Sequence, residues 1–264
     1  MAVASTADIR LVPCLSDNYA VLVHRGAEDG PGTTFLVDAP EEGAVLAVLD
    51  QAGWTLDAIL LTHHHGDHTG AAGVLSAATG AKLIGPAAEA AQMPDLDVAL
   101  DDGAEFRVGP FRIRAIATPG HTAGPLSYYL PDEKLAFTGD TLFALGCGRL
   151  FEGTAQTMWA SLKRLREELP DDTRIYCGHE YTLANARFAL TIDPGNEALA
   201  ARARTIEALR AAGRPTLPFT MGEEKATSPF LRADTPSVAA AVDLEGAAPA
   251  AVFAAVRARK DSFR

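Results

Sequence analysis

Hydrophobic and polar positions alternate over short distances along the first two thirds of the chain, which is typical of β-strands separated by turns. The alternating or apolar runs predict strands at residues 19–23, 34–37, 58–61, 111–117, 126–130, 135–137 and 174–177. Two segments instead space apolar residues three or four positions apart, and they end before Gly53 and Pro170. Residues 45–52 and 158–169 are therefore predicted to be helices, and the class is mixed α/β.

The pattern changes after about residue 180. Residues 196–212 and 249–260 are rich in Ala, Arg and Leu and predict helices, and Thr235 with Pro236 predicts the start of another. We expect no strand after Cys177, and we expect residues 214–230 to form a long irregular connection. The sequence thus predicts a catalytic or binding domain over residues 1–180 and a small helical domain over residues 181–264.

Composition and charge narrow the classes of function. Lys and Arg number 23 against 34 Asp and Glu, a net charge of −11 that argues against a sequence-independent nucleic-acid or anionic-membrane surface. We see no apolar run of signal-peptide or membrane-spanning character. Cys14, Cys147 and Cys177 are scattered and form no CxxC pair, which predicts reduced thiols. We expect a cytoplasmic protein that binds neither nucleic acid nor membrane.

The candidate chemistry starts in "LLTHHHGDHTG", residues 60–70, which contains four of the seven histidines. Side chains alternate along an extended chain, so His63 and His65 are expected to point the same way. Asp67 and His68 follow a glycine at the expected start of a helix. The H-x-H-x-D-H pattern offers imidazole nitrogens and a carboxylate oxygen, which are ligands that suit zinc, iron or manganese.

Three distant residues extend this set. His121, Asp140 and His179 each follow a predicted strand and stand next to a glycine. Strand ends at one edge of a sheet converge, so we expect all of these side chains to meet there. The alternative, a chance or surface histidine tract, suits an isolated HHH, but one pattern repeated in three segments argues against it. His24 and His64 are expected to be structural or surface residues.

These motifs resemble the metallo-β-lactamase superfamily, whose signature is H-x-H-x-D-H followed by a later His, a bridging Asp and a final His. The resemblance covers roughly residues 8–180 and implies an αββα sandwich with the metals at one edge. Within the superfamily the sequence is most similar to glyoxalase II, the hydroxyacylglutathione hydrolases. The strings that carry this similarity are "SDNYAVLV", "THHHGDHTG", "TPGHTAG", "FTGDTLFALGCGRLFEGT", "YCGHEYT" and "VRARKDSF".

The resemblance implies two divalent metal ions, zinc first and iron or manganese as alternatives. One ion would be held by His63, His65 and His121, the other by Asp67, His68 and His179, with Asp140 bridging them. Asp67 and Asp140 are thus the implied catalytic carboxylates. A metal pair can lower the pKa of a water and supply a bridging hydroxide that attacks a thioester carbonyl.

The implied substrate is a glutathione thioester, S-D-lactoylglutathione, hydrolysed to D-lactate and glutathione in methylglyoxal degradation. The implied glutathione-binding residues are Arg149, Tyr181, Arg257 and Lys260. The two basic residues near the C-terminus could instead merely complement a helix end. Phe151 stands where some members have Tyr, and its contribution is open. Asp38 either orients a ligand or is a plain turn residue.

The sequence is also compatible with other functions. The same scaffold hosts β-lactamases, lactonases, nucleases and glutathione persulfide dioxygenases, of which the dioxygenase, with one metal and no Arg-x-x-Lys tail, is the nearest rival. A β-lactamase is disfavoured because those enzymes often have Cys at the position of Asp140. A non-enzymatic metal-binding protein is the alternative of another class, although structural zinc sites are usually closed by four ligands. We expect a monomer; metal identity and acyl preference are open.

Overall fold

The structure, a computed structural model, describes residues 7–28 and 30–263. The chain forms two compact units. The first unit consists of Met1–Ala117 and Gly124–Gly139, and the second consists of Thr118–Ala123 and Asp140–Arg264. The first unit contains four of the predicted metal ligands, and the second contains the other three, His121, Asp140 and His179.

The first unit contains a mixed six-stranded sheet within the described residues. Its strands follow chain order: β1 (Asp8–Cys14), β2 (Asn18–Arg25), β3 (Thr33–Val37), β4 (Ala58–Leu60), β5 (Lys82–Pro86) and β6 (Val98–Leu100). The first three strands are antiparallel, and β3 to β6 run parallel. Every residue of β4 is buried, as expected for a parallel strand covered on both faces.

A second layer of the first unit is antiparallel. It contains β7 (Glu105–Val108), β8 (Phe111–Ala117), β9 (Leu126–Leu130) and β10 (Leu135–Gly139). Phe35 on β3 contacts this layer, since its ring lies edge-on to Phe111 at 5.2 Å and to Phe137 at 6.2 Å. The Tyr128 hydroxyl on β9 donates to the Leu61 carbonyl at 2.7 Å. The two sheets therefore pack face to face.

Helices cover the other face of the first sheet. They are α1 (Glu42–Ala52) and α3 (Ala72–Thr79), with the short α2 (Gly66–Thr69) and a 3-10 helix (Ala87–Gln92) alongside. Leu36 follows Phe35 on β3 and, by strand alternation, points to the opposite face. It packs in one buried cluster with Val45 and Leu49 of α1 and Leu75 of α3. Helix α1 ends at Gly53, which adopts the left-handed conformation that glycine reaches without strain.

The second unit is mainly helical. Its strands are β11 (Leu142–Phe143), β12 (Gly146–Cys147), β13 (Arg174–Cys177) and β14 (Phe219–Thr220). Its helices are α4 (Ala155–Glu168), α5 (Thr182–Ile192), α6 (Glu197–Ala211), α7 (Met221–Thr227), α8 (Pro236–Ala241) and α9 (Pro249–Ser262). Side chains cap the N-termini of α4 and α6, since Thr154 accepts from the Thr157 amide and Asn196 accepts from the Leu199 amide.

Most predicted elements are confirmed, including the strands at residues 111–117, 126–130 and 174–177 and the helices around residues 45–52, 158–169, 196–212 and 249–260. Two expectations for the C-terminal region were wrong. A strand does follow Cys177, because β14 pairs antiparallel with β13 through Phe219 and Ile175. Residues 214–230 also contain helix α7, which starts with a capping box between Thr220 and Glu223.

None of the helices within residues 7–28 and 30–263 is both long and apolar enough to cross a membrane. Helices α5 and α6 of the second unit pack together through a buried cluster of small and branched side chains that includes Ala186, Leu199 and Ile206.

Replacing Phe35 by Ala should destabilise the first unit strongly. The ring is fully buried between the two sheets, and Phe-to-Ala changes at such sites cost about 3–5 kcal/mol through lost transfer energy and a residual cavity. Urea unfolding followed by circular dichroism measures the change. Val74→Ala on the exposed side of α3, where Val74 is 52% exposed, is the control and should change the free energy of unfolding by less than about 0.5 kcal/mol. Equal effects would contradict the face-to-face packing.

Candidate metal centre

Four histidines of the first unit, His63, His64, His65 and His68, follow β4 closely in the sequence. His63 Nε2 lies 3.1 Å from His65 Nδ1, and the rings of His63 and His68 are 4.1 Å apart. The predicted common orientation of His63 and His65 is therefore present. Since β4 ends at Leu60, these residues follow the carboxyl end of that strand. Helix α2 then begins immediately after His65.

The carboxylate of Asp38 orients two of these histidines. Its Oδ2 lies 2.8 Å from His68 Nδ1 and accepts the Thr62 hydroxyl at 2.9 Å, while Oδ1 accepts the Thr62 amide at 2.8 Å. Because the Thr62 hydroxyl donates to Asp38, its oxygen is an acceptor for His63 Nδ1, 3.0 Å away. We therefore assign the ring proton of both histidines to Nδ1, which leaves each Nε2 lone pair available.

Asp67 is held in place by Asn18, a residue that was not predicted to belong to the site. The Asn18 side-chain amide donates to both the Asp67 backbone carbonyl and its Oδ2, each at 3.0 Å. Asp67 Oδ2 lies 3.7 Å from His68 Nε2. The available signal was the "SDNYAVLV" string, but its spacing from residue 67 gives no hint of the contact. The predicted ligands His63, His65, Asp67 and His68 are thus gathered in the first unit.

The remaining predicted ligands are gathered in the second unit. Asp140 Oδ2 lies 3.3 Å from His179 Nε2 and 3.5 Å from His121 Nε2. All three residues are at most 9% exposed. Asp140 follows β10 and His179 follows β13 in the sequence, as the strand, glycine and ligand pattern predicted. Two imidazole nitrogens therefore converge on one carboxylate oxygen.

The loop after Arg149 encloses His121. His121 Nδ1 lies 2.8 Å from the Arg149 carbonyl, so it donates its proton and leaves Nε2 facing Asp140. The amides of Phe151 and Glu152 donate to the His121 carbonyl. Gly153 is required for this approach, because a Cβ there would lie 2.5 Å from the Cα of Gly120. One loop thus fixes both the backbone and the ring of a predicted ligand.

The hairpin β11–β12, two residues beyond Asp140, is anchored by the helices of the second unit. Glu224 on α7, fully buried, accepts the Leu145 amide with both carboxylate oxygens at 3.0 and 3.1 Å. The Asn185 side chain on α5 donates to the Ala144 carbonyl at 3.1 Å. Burial raises the pKa of Glu224, and the charge of Arg202, 2.6 Å away, opposes this rise.

The predicted glutathione residues all lie in the second unit. Tyr181 is 38% exposed and stacks on His179, with ring centroids 4.7 Å apart. Lys260 lies within 3.3 Å of the Ala184 carbonyl. Its desolvation, and then the charges of Arg257 and Arg149, lower the pKa of Lys260 to about 8. Those cationic side chains are therefore close enough to repel one another.

Arg257 differs from the other three in being 6% exposed. Its guanidinium donates to the Cys147 carbonyl at 2.9 Å and to Asp261 at 2.8 Å. It thus ties helix α9 to the hairpin β11–β12. Phe151, whose contribution was open, is 63% exposed, and its ring lies 5.2 Å from that of His121.

His24 is a structural residue, as expected. Its ring stacks on Trp54 with centroids 4.3 Å apart, and its Nδ1 lies 2.9 Å from the Thr34 hydroxyl. Burial lowers the pKa of His24, so the neutral ring is favoured. His64 is only partly exposed, and it faces the buried carboxylate of Glu89 at 2.8 Å.

Both clusters fit divalent metal ions. They offer imidazole nitrogens and carboxylate oxygens, which suit zinc, iron or manganese. In His63, His68 and His121 the Nδ1 atom lies against a hydrogen-bond acceptor of the protein, and Nε2 faces a nitrogen or oxygen atom of another predicted ligand. Metal-ligating histidines usually show this arrangement, because the second acceptor fixes the tautomer and the ring orientation.

Comparisons with known proteins agree with this chemistry. Residues 17–179 match the family model of the metallo-beta-lactamase superfamily, and residues 180–263 match that of the hydroxyacylglutathione hydrolase C-terminus. A hydroxyacylglutathione hydrolase of Brucella anthropi is 53% identical over 262 residues, covering 99% of each chain. One from Methylococcus capsulatus is 51% identical over 257 residues, which cover 97% of this chain and 99% of the relative.

Solved structures resemble the chain as well. The B3 metallo-beta-lactamase BLEG-1 has a TM-score of 0.65 at 22% identity and covers 85% of this chain and 99% of its own. ETHE1 from Myxococcus xanthus has a TM-score of 0.64 at 28% identity, with 97% and 100% covered. The predicted αββα metallo-β-lactamase fold with a helical C-terminal region is therefore confirmed.

Asp38→Asn should weaken metal binding without unfolding the protein. Asn tolerates the left-handed backbone of this position, where φ is 55°, but its amide group can accept on only one side. The other side donates, so His68 or the Thr62 amide loses its acceptor. We expect zinc affinity to fall about 10- to 100-fold, measured by competition with a chromophoric chelator.

Asp57→Asn provides the matched control for this variant. Asp57 accepts the Thr34 amide at 2.8 Å, and its backbone bonds with Thr34 and Lys82. These partners are not predicted ligands. Asp57→Asn should therefore leave zinc affinity within about twofold of the wild-type value. Unchanged affinity in Asp38→Asn would show that Asp38 is only a turn residue.

Proposed function

Because the chain belongs to the hydroxyacylglutathione hydrolase family of the metallo-β-lactamase superfamily, we propose that it hydrolyses the thioester of S-(2-hydroxyacyl)glutathione. The products from S-D-lactoylglutathione would be D-lactate and glutathione, which places the reaction in methylglyoxal degradation. The observation that carries this proposal is about 50% identity to hydroxyacylglutathione hydrolases over nearly the whole chain. This similarity identifies a metal-dependent hydrolase.

We propose further that the two histidine clusters form one centre for two divalent ions. The first ion would be held by His63, His65 and His121, the second by Asp67, His68 and His179, and Asp140 would bridge them. Support comes from the family model, which spans both clusters as one domain over residues 17–179. Zinc is our first choice of metal because it accepts nitrogen and oxygen ligands alike, and iron or manganese are the alternatives.

The roles of the protein residues follow from their hydrogen bonds. Bound divalent ions would supply Lewis acidity and lower the pKa of a water molecule toward neutrality. Asp38 and the Arg149 carbonyl hold ring protons away from the centre, so that His68 and His121 present unprotonated Nε2 atoms. Asp67 and Asp140 contribute negative charge, which increases the affinity for divalent ions. No serine or cysteine nucleophile is needed, and burial raises the pKa of Cys147 to about 11, which makes its thiol inert.

The cations of the second unit suit the carboxylates of glutathione. Desolvation, and then the charges of Arg257 and Arg149, lower the pKa of Lys260, and a bound carboxylate would stabilise its cation. In a chain of net charge −11, such a cluster is a local exception. Tyr181, which stacks on His179, presents its hydroxyl group as a donor for the substrate.

Arg257 is proposed to contribute to glutathione binding indirectly. Its guanidinium already donates to Cys147 and Asp261, so it would act on a carboxylate mainly through its charge and by holding helix α9. This assigns glutathione binding to the helical region 181–264, together with Arg149. Arg257→Ala would then affect both stability and KM, which makes Lys260 the cleaner residue to test.

We also propose that the protein works as a monomer in the cytoplasm. The free cysteines Cys14, Cys147 and Cys177 are all buried, and thiols of this kind persist in reducing compartments. Size-exclusion chromatography with light scattering would test the monomer. A dimer that persists at enzyme concentrations used in assays would contradict it.

One experiment tests the activity itself. S-D-lactoylglutathione is incubated with zinc-loaded protein while thioester absorbance, free thiol and dissolved oxygen are recorded together. Hydrolysis consumes thioester and releases one thiol for each bond broken, with no oxygen uptake. A parallel assay uses glutathione persulfide as substrate. Oxygen consumption in that assay, with no thioester loss in the first, would instead identify the dioxygenase. A protein that binds metal but acts on neither substrate would be a non-enzymatic metal-binding protein.

Asp140→Asn should abolish this turnover while the fold survives. Asn keeps the size of the side chain but removes the negative charge that His121 and His179 face, so the protein should hold fewer than two metal ions. We expect at least a thousandfold loss of kcat and an unchanged circular dichroism spectrum, with metal content read by elemental analysis. Asp95→Asn on the exposed surface is the control and should behave as the wild type. Full activity in Asp140→Asn would refute the bridging role.

Lys260→Ala should raise KM for the glutathione thioester about tenfold, which is about 1.4 kcal/mol, and leave kcat nearly unchanged. The contact is remote from the reacting carbonyl and stabilises ground and transition states alike. Since the pKa of Lys260 is lowered to about 8, the cation is present below that pH and is lost above it. Wild-type kcat/KM should therefore fall as the pH rises from 7 to 9.

The variant supplies the control for this pH dependence. Lys260→Ala should lack the fall in kcat/KM, since it has no amine to titrate, and an acyl thioester without glutathione should not distinguish the two proteins. The same fall in both proteins would assign the titration to another group. An unchanged KM would remove Lys260 from the binding site.

A further inference from the structure

Glu89 is a buried acid to which the proposed reaction assigns no role. It is the sole charged residue of the 3-10 helix Ala87–Gln92, and its side chain has no exposed surface. Burying a carboxylate is costly unless hydrogen bonds compensate for the lost hydration. Its partners therefore indicate what the residue is for.

The two carboxylate oxygens of Glu89 accept from two different backbone segments. Oε2 accepts the His64 amide at 2.8 Å, and Oε1 accepts the Gly124 amide at 2.8 Å. The His64 ring adds a further contact, with Nδ1 2.8 Å from Oε2. Hydrogen bonds from N–H groups to a carboxylate are stronger than neutral ones, so both amides are held firmly.

Each of these amides belongs to a segment with predicted metal ligands. His64 lies between His63 and His65 in the sequence, and Gly124 follows His121 by three residues. The chain at Gly124 is also pressed against the 3-10 helix, because a Cβ at this position would lie 2.4 Å from the Cβ of Ala88. A side chain here would displace the segment from Glu89.

We propose that Glu89 is a positioning residue for the metal centre, which fixes with one carboxylate the backbone of the segment His63–His65 and of the segment after His121. This inference rests on the proposed metal-dependent function. Its role differs from that of Asp38, which fixes ring protons, because Glu89 acts on the backbone from which the rings project. His64 then serves through its amide and ring as the attachment point and not as a ligand.

Glu89→Gln isolates this role because it conserves the size and shape of the side chain. Both oxygens of Glu89 accept backbone N–H groups, whereas a glutamine has one acceptor oxygen and one donor NH2 group. In either orientation the amide group therefore opposes one backbone N–H with another donor. One of the two segments loses its attachment in this variant.

Metal affinity of the metal-free protein is the first measurement. Wild type and variants are titrated with zinc alone in competition with a chromophoric chelator. We expect Glu89→Gln to weaken zinc binding about 10- to 100-fold, as is typical for groups that orient metal ligands. Wild-type affinity in this variant would overturn the proposal.

Glu133→Gln is the matched control, since it makes the same chemical change in the first unit. Glu133 has a side chain only 5% exposed and accepts from Arg25 at 2.8 Å, on a segment without predicted ligands. It should lower the melting temperature, as Glu89→Gln does, but change zinc affinity less than twofold. Equal weakening in both variants would show that Glu89 matters only for stability.

Hydrogen exchange in the metal-free protein is the second measurement, and its wild-type arm does not depend on a variant that folds. The amides of His64 and Gly124 should be protected in the wild type and should lose protection in Glu89→Gln but not in Glu133→Gln. Exchange of both wild-type amides at the rate of an exposed loop would overturn the proposal.

Failure of this inference is distinguishable from failure of the proposed function. A wild-type protein that binds zinc and hydrolyses the thioester, with Glu89→Gln unaffected in zinc affinity, overturns only the role of Glu89. A wild-type protein that binds no zinc overturns both.

Discussion

The hydrogen bonds to the carboxylate of Asp38 are the interactions on which the first half of the proposed metal centre depends. This carboxylate accepts from His68 directly and from His63 through the Thr62 hydroxyl, so the state of two rings follows from one charged group. Asp38 is itself placed by the sheet, because it follows β3 directly and its amide donates to the Leu60 carbonyl at the end of β4 at 2.9 Å. The parallel register of β3 and β4 thus sets the tautomers of two proposed metal ligands.

The second unit reaches the same result with a different acceptor. His121 donates its Nδ1 proton to the backbone carbonyl of Arg149, so a loop carbonyl replaces the carboxylate. Because the same loop carries the Arg149 side chain, a residue proposed for substrate binding and a proposed metal ligand share one backbone segment. A change that moves this loop would therefore alter both binding and metal affinity.

The second unit contains one lysine whose charged form is disfavoured by its surroundings. Desolvation, and then the charges of Arg257 and Arg149, lower the pKa of Lys260 to about 8. Arg257 is itself paired with Asp261, and other cations of the unit are also paired with acids, for example Arg202 with Glu224 and Arg166 with Asp234. A lysine whose pKa is lowered by desolvation and by neighbouring cations is a candidate for binding an anion, which is the role that we propose for Lys260.

Local sequence determined the elements and the candidate ligands. Apolar periodicity identified strands such as Phe111–Ala117 and helices such as Pro249–Ser262, because side-chain spacing and helix caps are properties of neighbouring residues. The ligand types were also readable, since His63, His65, Asp67 and His68 stand within six positions. The two-residue strand Phe219–Thr220 was missed because it is too short to show a period.

Only the tertiary structure decided which groups act on those ligands. Asn18 holds Asp67 across 49 positions, and Glu89 holds His64 across 25 and Gly124 across 35. Arg257, for which the family resemblance implied a substrate contact, also donates to a carbonyl 110 positions away. A buried polar side chain takes whichever partner the packed chain brings within about 3 Å. That distance depends on the whole fold, and no local pattern records it.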